Sequence, residues 1–100
     1  MSLRDLVLSR ESETSFIISE SEKYENSGIF ARFKVHGPVN DKYIVSLNEI
    51  GELGTVEILG IMDYFEEAID LAYIEAKKYV TKNLSIGVKY EDRTGFKFKD

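Results

Sequence analysis

The stretch DYFEEAIDLAYIEAKKYVTK, residues 63–82, carries apolar residues at helical spacing and decides how the rest of the chain is interpreted. One side of the predicted helix collects these apolar residues: Phe65, Ala68, Ile69, Ala72, Ala76, Tyr79 and Val80. Acidic residues precede lysines along the stretch, an order that stabilises the helix dipole. Asp63, three residues before Glu66, is typical of a capping box. The sequence therefore predicts one long helix over about 63–82.

The residues before this helix alternate with a period of two, which is typical of half-buried strands. In IFARFKVH, residues 29–36, apolar side chains at every second position oppose Arg, Lys and His. The same alternation recurs at 43–48 and 56–59, and the residues between these segments, GPVND and GELG, are rich in turn formers. Three consecutive strands joined by short turns predict an antiparallel meander.

Both ends of the chain add further strands to this prediction. Residues 1–10 fit the spacing of either a helix or a strand, and we favour the strand. Residues 14–19 are a short run of β-prone residues, and the Ser- and Glu-rich residues after them are typical of a loop. Residues 86–91 and 96–98 alternate on either side of a turn, which predicts a C-terminal hairpin.

The predicted fold class is α+β: an antiparallel sheet of about five to seven strands with the helix packed across one face. One hundred residues suit a single domain over 1–100. The face away from the helix is expected to hold Phe30, Ile44, Ile50 and Leu59 beside Arg32 and Ser46. Because this face is too apolar to be wholly solvated, we expect the N-terminus or another chain to cover part of it.

The composition excludes several classes of protein. The chain has no cysteine, so a disulfide framework, a thiolate zinc site and a cysteine nucleophile are excluded. A formal net charge of −5 argues against binding the phosphate backbone of a nucleic acid. No apolar run is long enough to span a membrane, and the N-terminus does not resemble a signal peptide. We therefore expect a cytoplasmic protein that binds neither nucleic acid nor membranes.

Catalytic residues are not predicted. His36 is the one histidine of the chain, and it shares a polar strand face with Arg32 and Lys34, a poor setting for a metal ligand or a general base. Glu66 and Asp70 are neighbours on the helix, but acids at the start of a helix more often stabilise its dipole. No phosphate-binding loop, calcium loop or dinucleotide motif occurs, so no cofactor and no metal are predicted.

Two surfaces suit the binding of a protein partner better than they suit catalysis. Residues 1–27 hold six acidic and three basic residues, and the predicted loop after 14–19 contributes a candidate anchor for a basic surface: Glu20, Glu22, Tyr24 and Glu25. On the helix, Tyr64, Leu71 and Ile74 fall outside the apolar stripe, which predicts a second contact surface.

The sequence thus favours a small non-catalytic interaction module that inhibits or neutralises a partner protein with a basic surface. Immunity proteins and phage anti-defence proteins are analogous in size and acidity, although no motif connects them with this chain. The alternative is a dimeric ligand-binding or regulatory subunit that holds a small molecule between sheet and helix. Under either hypothesis, assembly with a second copy of the chain is an open alternative.

Overall fold

Six strands and one helix make up the part of the chain that the computed structural model describes, residues 6–20, 29–49, 56–83 and 90–96. In chain order they are β1 (Leu6–Ser12), β2 (Ser15–Glu20), β3 (Ile29–Val39), β4 (Lys42–Glu49), β5 (Val56–Met62), α1 (Phe65–Asn83) and β6 (Tyr90–Asp92). The side chains of Glu20, Lys82 and Asn83 are not described.

The sheet has the strand order β5-β4-β3-β2-β1-β6. Strands β1 to β5 pair in sequence as an antiparallel meander, whereas β6 joins the far side of β1 in parallel. Helix α1 packs across one face and contacts each strand of the meander. The α+β fold with one helix on an antiparallel sheet is therefore confirmed. Residues 84–89 and 97–100, which hold most of the predicted hairpin, lie outside the described residues.

The β3–β4 turn is tighter than the sequence predicts. Strand β3 continues to Val39, past a cis Gly37–Pro38 bond, and the turn consists of Asn40 and Asp41 with φ angles of 50° and 62°. Two consecutive positive φ angles match the right-handed twist of the flanking strands. Gly37, with φ 125°, is needed because a Cβ atom there would lie 2.7 Å from the Lys42 carbonyl oxygen.

The core lies between α1 and the sheet. Strands β1 to β4 contribute large buried side chains, including Leu8, Phe16, Ile18, Phe33, Val45 and Leu47. The helix meets them with three fully buried alanines, Ala68, Ala72 and Ala76, whose small side chains allow close approach to the sheet. The helix begins two residues later than predicted, since the Ala68 amide donates to the Tyr64 carbonyl and the Asp63 carboxylate instead pairs with Lys42.

The apolar stripe of α1 differs from the prediction at two positions. Tyr73, which the spacing did not place on the core side, is buried, whereas Phe65 is exposed at its edge and contacts the Tyr43 ring. Burial of a tyrosine requires a partner for its hydroxyl group. Tyr73 has that partner in Asp92 of β6, and a helix pattern alone does not show an acceptor 19 residues away.

The face away from α1 also differs from the prediction. Val45 pairs with Gly60 and Ser46 with Ile58, so Leu59 is an extra residue in β5, a β-bulge. Leu59 shares the side of Glu57, whose partner Leu47 belongs to the core, and it therefore packs against the core on the helix side. Placing Leu59 on the open face was therefore wrong. Ile44 does lie on the open face. Ile50 lies outside the described residues. Residues 1–5, part of the N-terminus that was expected to cover some of this face, also lie outside them.

A hydrogen-bonded cluster joins α1 to β6. Tyr73 donates its hydroxyl hydrogen to Asp92, and the amide and hydroxyl groups of Thr94 donate to Asp92 Oδ1 at 2.9 and 2.7 Å. Burial, followed by the hydrogen bond to Asp92, raises the pKa of Tyr73 to about 12. Burial alone would raise the pKa of Asp92, but the hydrogen bonds from Tyr73 and Thr94 outweigh it and lower that pKa.

The β3–β4 turn gives the first prediction. Replacing Asp41 by glycine should raise the free energy of unfolding by about 0.5 kcal/mol, because glycine adopts a positive φ without steric cost. Asp41→Val is the matched control and should lower it by about 1 kcal/mol or more, because a β-branched residue resists this region. Urea denaturation measures both values, and equal effects of the two substitutions would contradict the turn geometry.

The Tyr73–Asp92 hydrogen bond gives the second prediction. Tyr73→Phe should lower the free energy of unfolding by about 1 kcal/mol near neutral pH. Because the folded pKa of Asp92 lies below its unfolded value, the stability it contributes is present above about pH 4 and is lost as the pH falls through the folded pKa. The difference between wild type and variant should therefore shrink below about pH 4.

Denaturation at a series of pH values tests this, with Tyr43→Phe as the control. The Tyr43 hydroxyl has no hydrogen bond among the described residues, and its removal should change stability little at any pH. A Tyr73→Phe difference that stays constant from pH 7 to about pH 3 would show that Asp92 does not contribute through this bond.

Candidate functional site

A cavity of about 400 Å³ lies between the second half of α1 and the β3–β4–β5 part of the sheet. Its floor is apolar and consists of Phe33, Leu47, Leu59 and Tyr79. Its rim carries charged groups, namely Glu49, Glu57, Glu75 and Lys78. We call these eight residues the acidic cleft.

Strand register and helix spacing bring the three glutamates together. Glu57 pairs across the strands with Leu47, and Glu49 pairs with Ala31. Directly paired residues share a face of the sheet, so both glutamates lie on the side of the buried Leu47 and Ala31, which is the helix side. Glu75 is half-buried on α1 and lies one turn before Tyr79 of the floor.

Strand β5 completes the floor. Leu59 lies two residues after Glu57 and shares its side of the strand, and the β-bulge turns the next residue, Gly60, to the same side. Phe33 and Tyr79 form the other side of the floor, with their rings edge to face and their centroids 5.7 Å apart. Burial is the larger cause of a raised pKa at Tyr79, and the negative charge of Glu49 raises that pKa further.

The charge of the rim is unbalanced. Three carboxylates face a single ammonium group, and Lys78 Nζ lies 3.6 Å from Glu75 Oε1. An acidic rim above an apolar floor suits a ligand with an apolar stem and a positive end. Among the described residues, no group of three or more carboxylate or imidazole side chains is arranged to hold a metal ion.

The structure separates the partner-binding residues predicted from the sequence. Tyr64 and Ile74 are 67% and 38% exposed on α1, as expected. Leu71 is half-buried and packs against the core, so its predicted position outside the core was wrong. The reason is Gly60 of β5, where an added Cβ atom would lie 2.7 Å from Leu71 Cδ2. The absence of a side chain there makes room for Leu71.

The acidic anchor predicted after β2 lies almost wholly outside the described residues. Glu22, Tyr24 and Glu25 lie outside the described residues, and of Glu20 only the backbone is described, at the end of β2. Their role in binding stays a prediction.

The fold keeps His36 apart from Glu66 and Asp70. His36 pairs with Ile44 on the face of the sheet opposite α1, and its Nε2 lies 2.8 Å from Ser46 Oγ. Glu66 and Asp70 lie on α1, on the other side of the sheet.

Sequence reasoning missed all three glutamates of the acidic cleft. They come from β4, β5 and α1, and each of them, taken alone, resembles an ordinary solvated position. The available signal was the pair Leu47 and Glu49, which share one face of β4 and place a charge directly after a core residue. Glu57 of β5 could be placed beside this pair only if the register between β4 and β5 were known.

Comparison with known proteins gives no relative for this chain. No family model matches it, and neither does any curated protein or solved structure. Within the described ranges, α1 is not long and apolar enough to cross a membrane.

The rim gives the third prediction. Glu49→Gln should lower the pKa of Tyr79 towards its ordinary value, but only in part, because burial is the larger cause. Titration of the tyrosine ring by ¹³C NMR measures the shift. Glu67→Gln, at the exposed start of α1, removes the same charge and should leave Tyr79 unchanged. An equal response to both substitutions would contradict a local effect of Glu49.

Proposed function

We propose that this protein is a non-catalytic interaction module whose acidic cleft takes up a lysine or arginine side chain of a basic partner protein. The observation that carries the proposal is the pairing of an apolar floor with three rim carboxylates in one cavity of about 400 Å³. Lysine and arginine have the matching form, an aliphatic stem that buries easily and a charged end that stays near the surface.

The net negative charge of the chain also favours a basic partner, and it acts at longer range than the cleft does. The chain carries 18 acidic against 13 basic residues, so a basic protein is attracted before contact. Complementary charge mainly raises the association rate and selects the partner, while the buried anchor slows dissociation.

The exposed side of α1 extends this surface. Ile74 lies one helical turn before Lys78 of the rim, and a large exposed apolar residue beside an anchor pocket is typical of an interface. Tyr64 is a more distant contact near the start of the helix. The acidic anchor predicted at Glu20 to Glu25 belongs to the same hypothesis.

Inhibition or neutralisation of the partner is part of the proposal, as is a cytoplasmic location, which a chain without cysteine favours. A module of this size acts most simply by covering a partner's surface.

A small organic cation is the second candidate occupant. The cavity volume falls within the usual range of ligand sites, about 300–1,000 Å³. This observation favours the alternative of a dimeric ligand-binding or regulatory subunit that holds a small molecule between sheet and helix.

The fourth prediction uses Nα-acetyl-lysine methylamide as the probe. Titration into ¹⁵N-labelled protein should shift amide signals of cleft residues such as Leu47, Glu57 and Tyr79. The norleucine analogue, which keeps the stem and lacks the charge, should not bind measurably. The double variant Glu57→Gln, Glu75→Gln should raise the dissociation constant about fivefold, because each partly exposed pair contributes about 0.5 kcal/mol.

Glu66→Gln combined with Glu67→Gln is the matched control, since it removes two charges at the start of α1, away from the cleft lining. It should change the dissociation constant less than twofold. Tighter binding of a lysine-containing peptide than of free butylamine supports a protein partner, and the reverse supports a small cation. Failure of every cationic probe to shift the cleft signals would refute the proposal.

A further inference from the structure

A second concave site lies on the open face of the sheet, opposite α1. It is a depression of about 230 Å³, lined by Arg32, Lys34, His36, Ser46, Asn48 and Val56. We call it the sheet-face depression. It shares no residue with the acidic cleft and lies on the other side of the sheet.

Strand register places these six side chains together. Arg32, Lys34 and His36 occupy alternate positions of β3 and therefore share one face. Lys34 pairs with Ser46 of β4 and Arg32 with Asn48, and Asn48 in turn pairs with Val56 of β5. The lining thus comes from three neighbouring strands whose pairing fixes the spacing of the side chains.

The lining carries hydrogen-bond donors and no carboxylate. Every lining side chain except that of Val56 bears an N–H or O–H group, although the chain contains 18 acidic residues. Elsewhere on the described surface, Lys42, Lys78 and Arg93 each lie within 4 Å of a carboxylate. Lys34 differs, because no described carboxylate lies within 4 Å of its ammonium group, although Glu11 is near enough for the charge of Lys34 to lower the pKa of Glu11. The side chain of Asn48 has no hydrogen bond among the described residues.

Two contacts hold other donors in position. Arg32 Nε and Nη2 both donate to the Glu11 carboxylate at 2.8 Å, which fixes the guanidinium plane and leaves Nη1 without a hydrogen bond to any described residue. His36 Nε2 lies 2.8 Å from Ser46 Oγ. When the imidazole donates in that bond, the hydroxyl hydrogen of the nearly buried Ser46 is available to a ligand.

We propose that the sheet-face depression binds an oxyanion, the carboxylate or phosphate group of a ligand whose apolar part rests on β5. The ammonium of Lys34, the amide of Asn48 and the hydroxyl of Ser46 supply the donors. Val56 lines the depression, and Ile58 and Ile61 are 58% and 61% exposed beyond it on the same strand face. A nucleic acid backbone does not suit this site, because a polyanion requires several unpaired cations and is repelled by a chain of net charge −5.

The experiment titrates ¹⁵N-labelled protein with sodium acetate and with sodium phosphate at constant ionic strength, with sodium chloride as the balancing salt. Saturable shifts at the Lys34, Ser46 and Asn48 amides are expected. Lys34→Gln should raise the dissociation constant at least about fivefold, because it removes a charge-assisted hydrogen bond. Lys78→Gln, on the other side of the sheet, makes the same change in net charge and should change it less than twofold.

Ser46→Ala provides a second variant that keeps the charge and removes one donor, and it should weaken binding while the remaining amide spectrum stays native.

A blocked peptide of alternating glutamate and leucine identifies the source of the oxyanion. Tighter binding of the peptide than of acetate indicates an acidic side chain of a partner protein, and tighter binding of phosphate indicates a free phosphate-bearing molecule. Shifts that do not saturate, or equal weakening by Lys34→Gln and Lys78→Gln, would overturn the proposal. The outcome does not depend on the acidic cleft.

Discussion

The extra residue in β5 decides on which side of the sheet the second half of that strand places its side chains. On a strand of strict alternation, Leu59 and Ile61 would lie on the same face. The β-bulge separates them, so Leu59 enters the floor of the acidic cleft while Ile58 and Ile61 both remain on the open face. It also brings Gly60 opposite Val45, under Leu71, where a glycine allows α1 to lie close to the edge of the sheet. One inserted residue therefore sets both how closely the helix approaches this edge and which apolar side chains of β5 are exposed on the opposite face.

Much of the fold could be predicted because its signals are local. The helix covers five turns of regular apolar spacing, and β3 and β4 alternate cleanly, so the period alone identifies them. The bulge could not be predicted, because Leu59 follows the alternation of its neighbours and only pairing with β4 shows that it is extra. Tyr73 was missed for a related reason, since its burial depends on Asp92, an acceptor in another element.

Less of the candidate site than of the fold could be predicted from the sequence. Lining residues of the acidic cleft come from β3, β4, β5 and α1, and the strand register that gathers them is a property of the folded chain. Charge counting gave the correct sign for the whole molecule but not its distribution. Folding places three carboxylates around a cleft on the helix side and a group of hydrogen-bond donors on the opposite side, a distribution that the net charge does not show.

The contact between Tyr73 and Asp92 has a consequence for how the protein behaves in a crowded solution. Strand β6 spans only Tyr90–Asp92, yet it pairs with the outer edge of β1, whose residues Leu6, Val7 and Leu8 are all apolar. An apolar strand with an unpaired edge is a template for association with other chains. By fastening a three-residue strand to the helix, the tyrosine hydroxyl helps to keep that edge paired, and a paired edge offers no template to another chain.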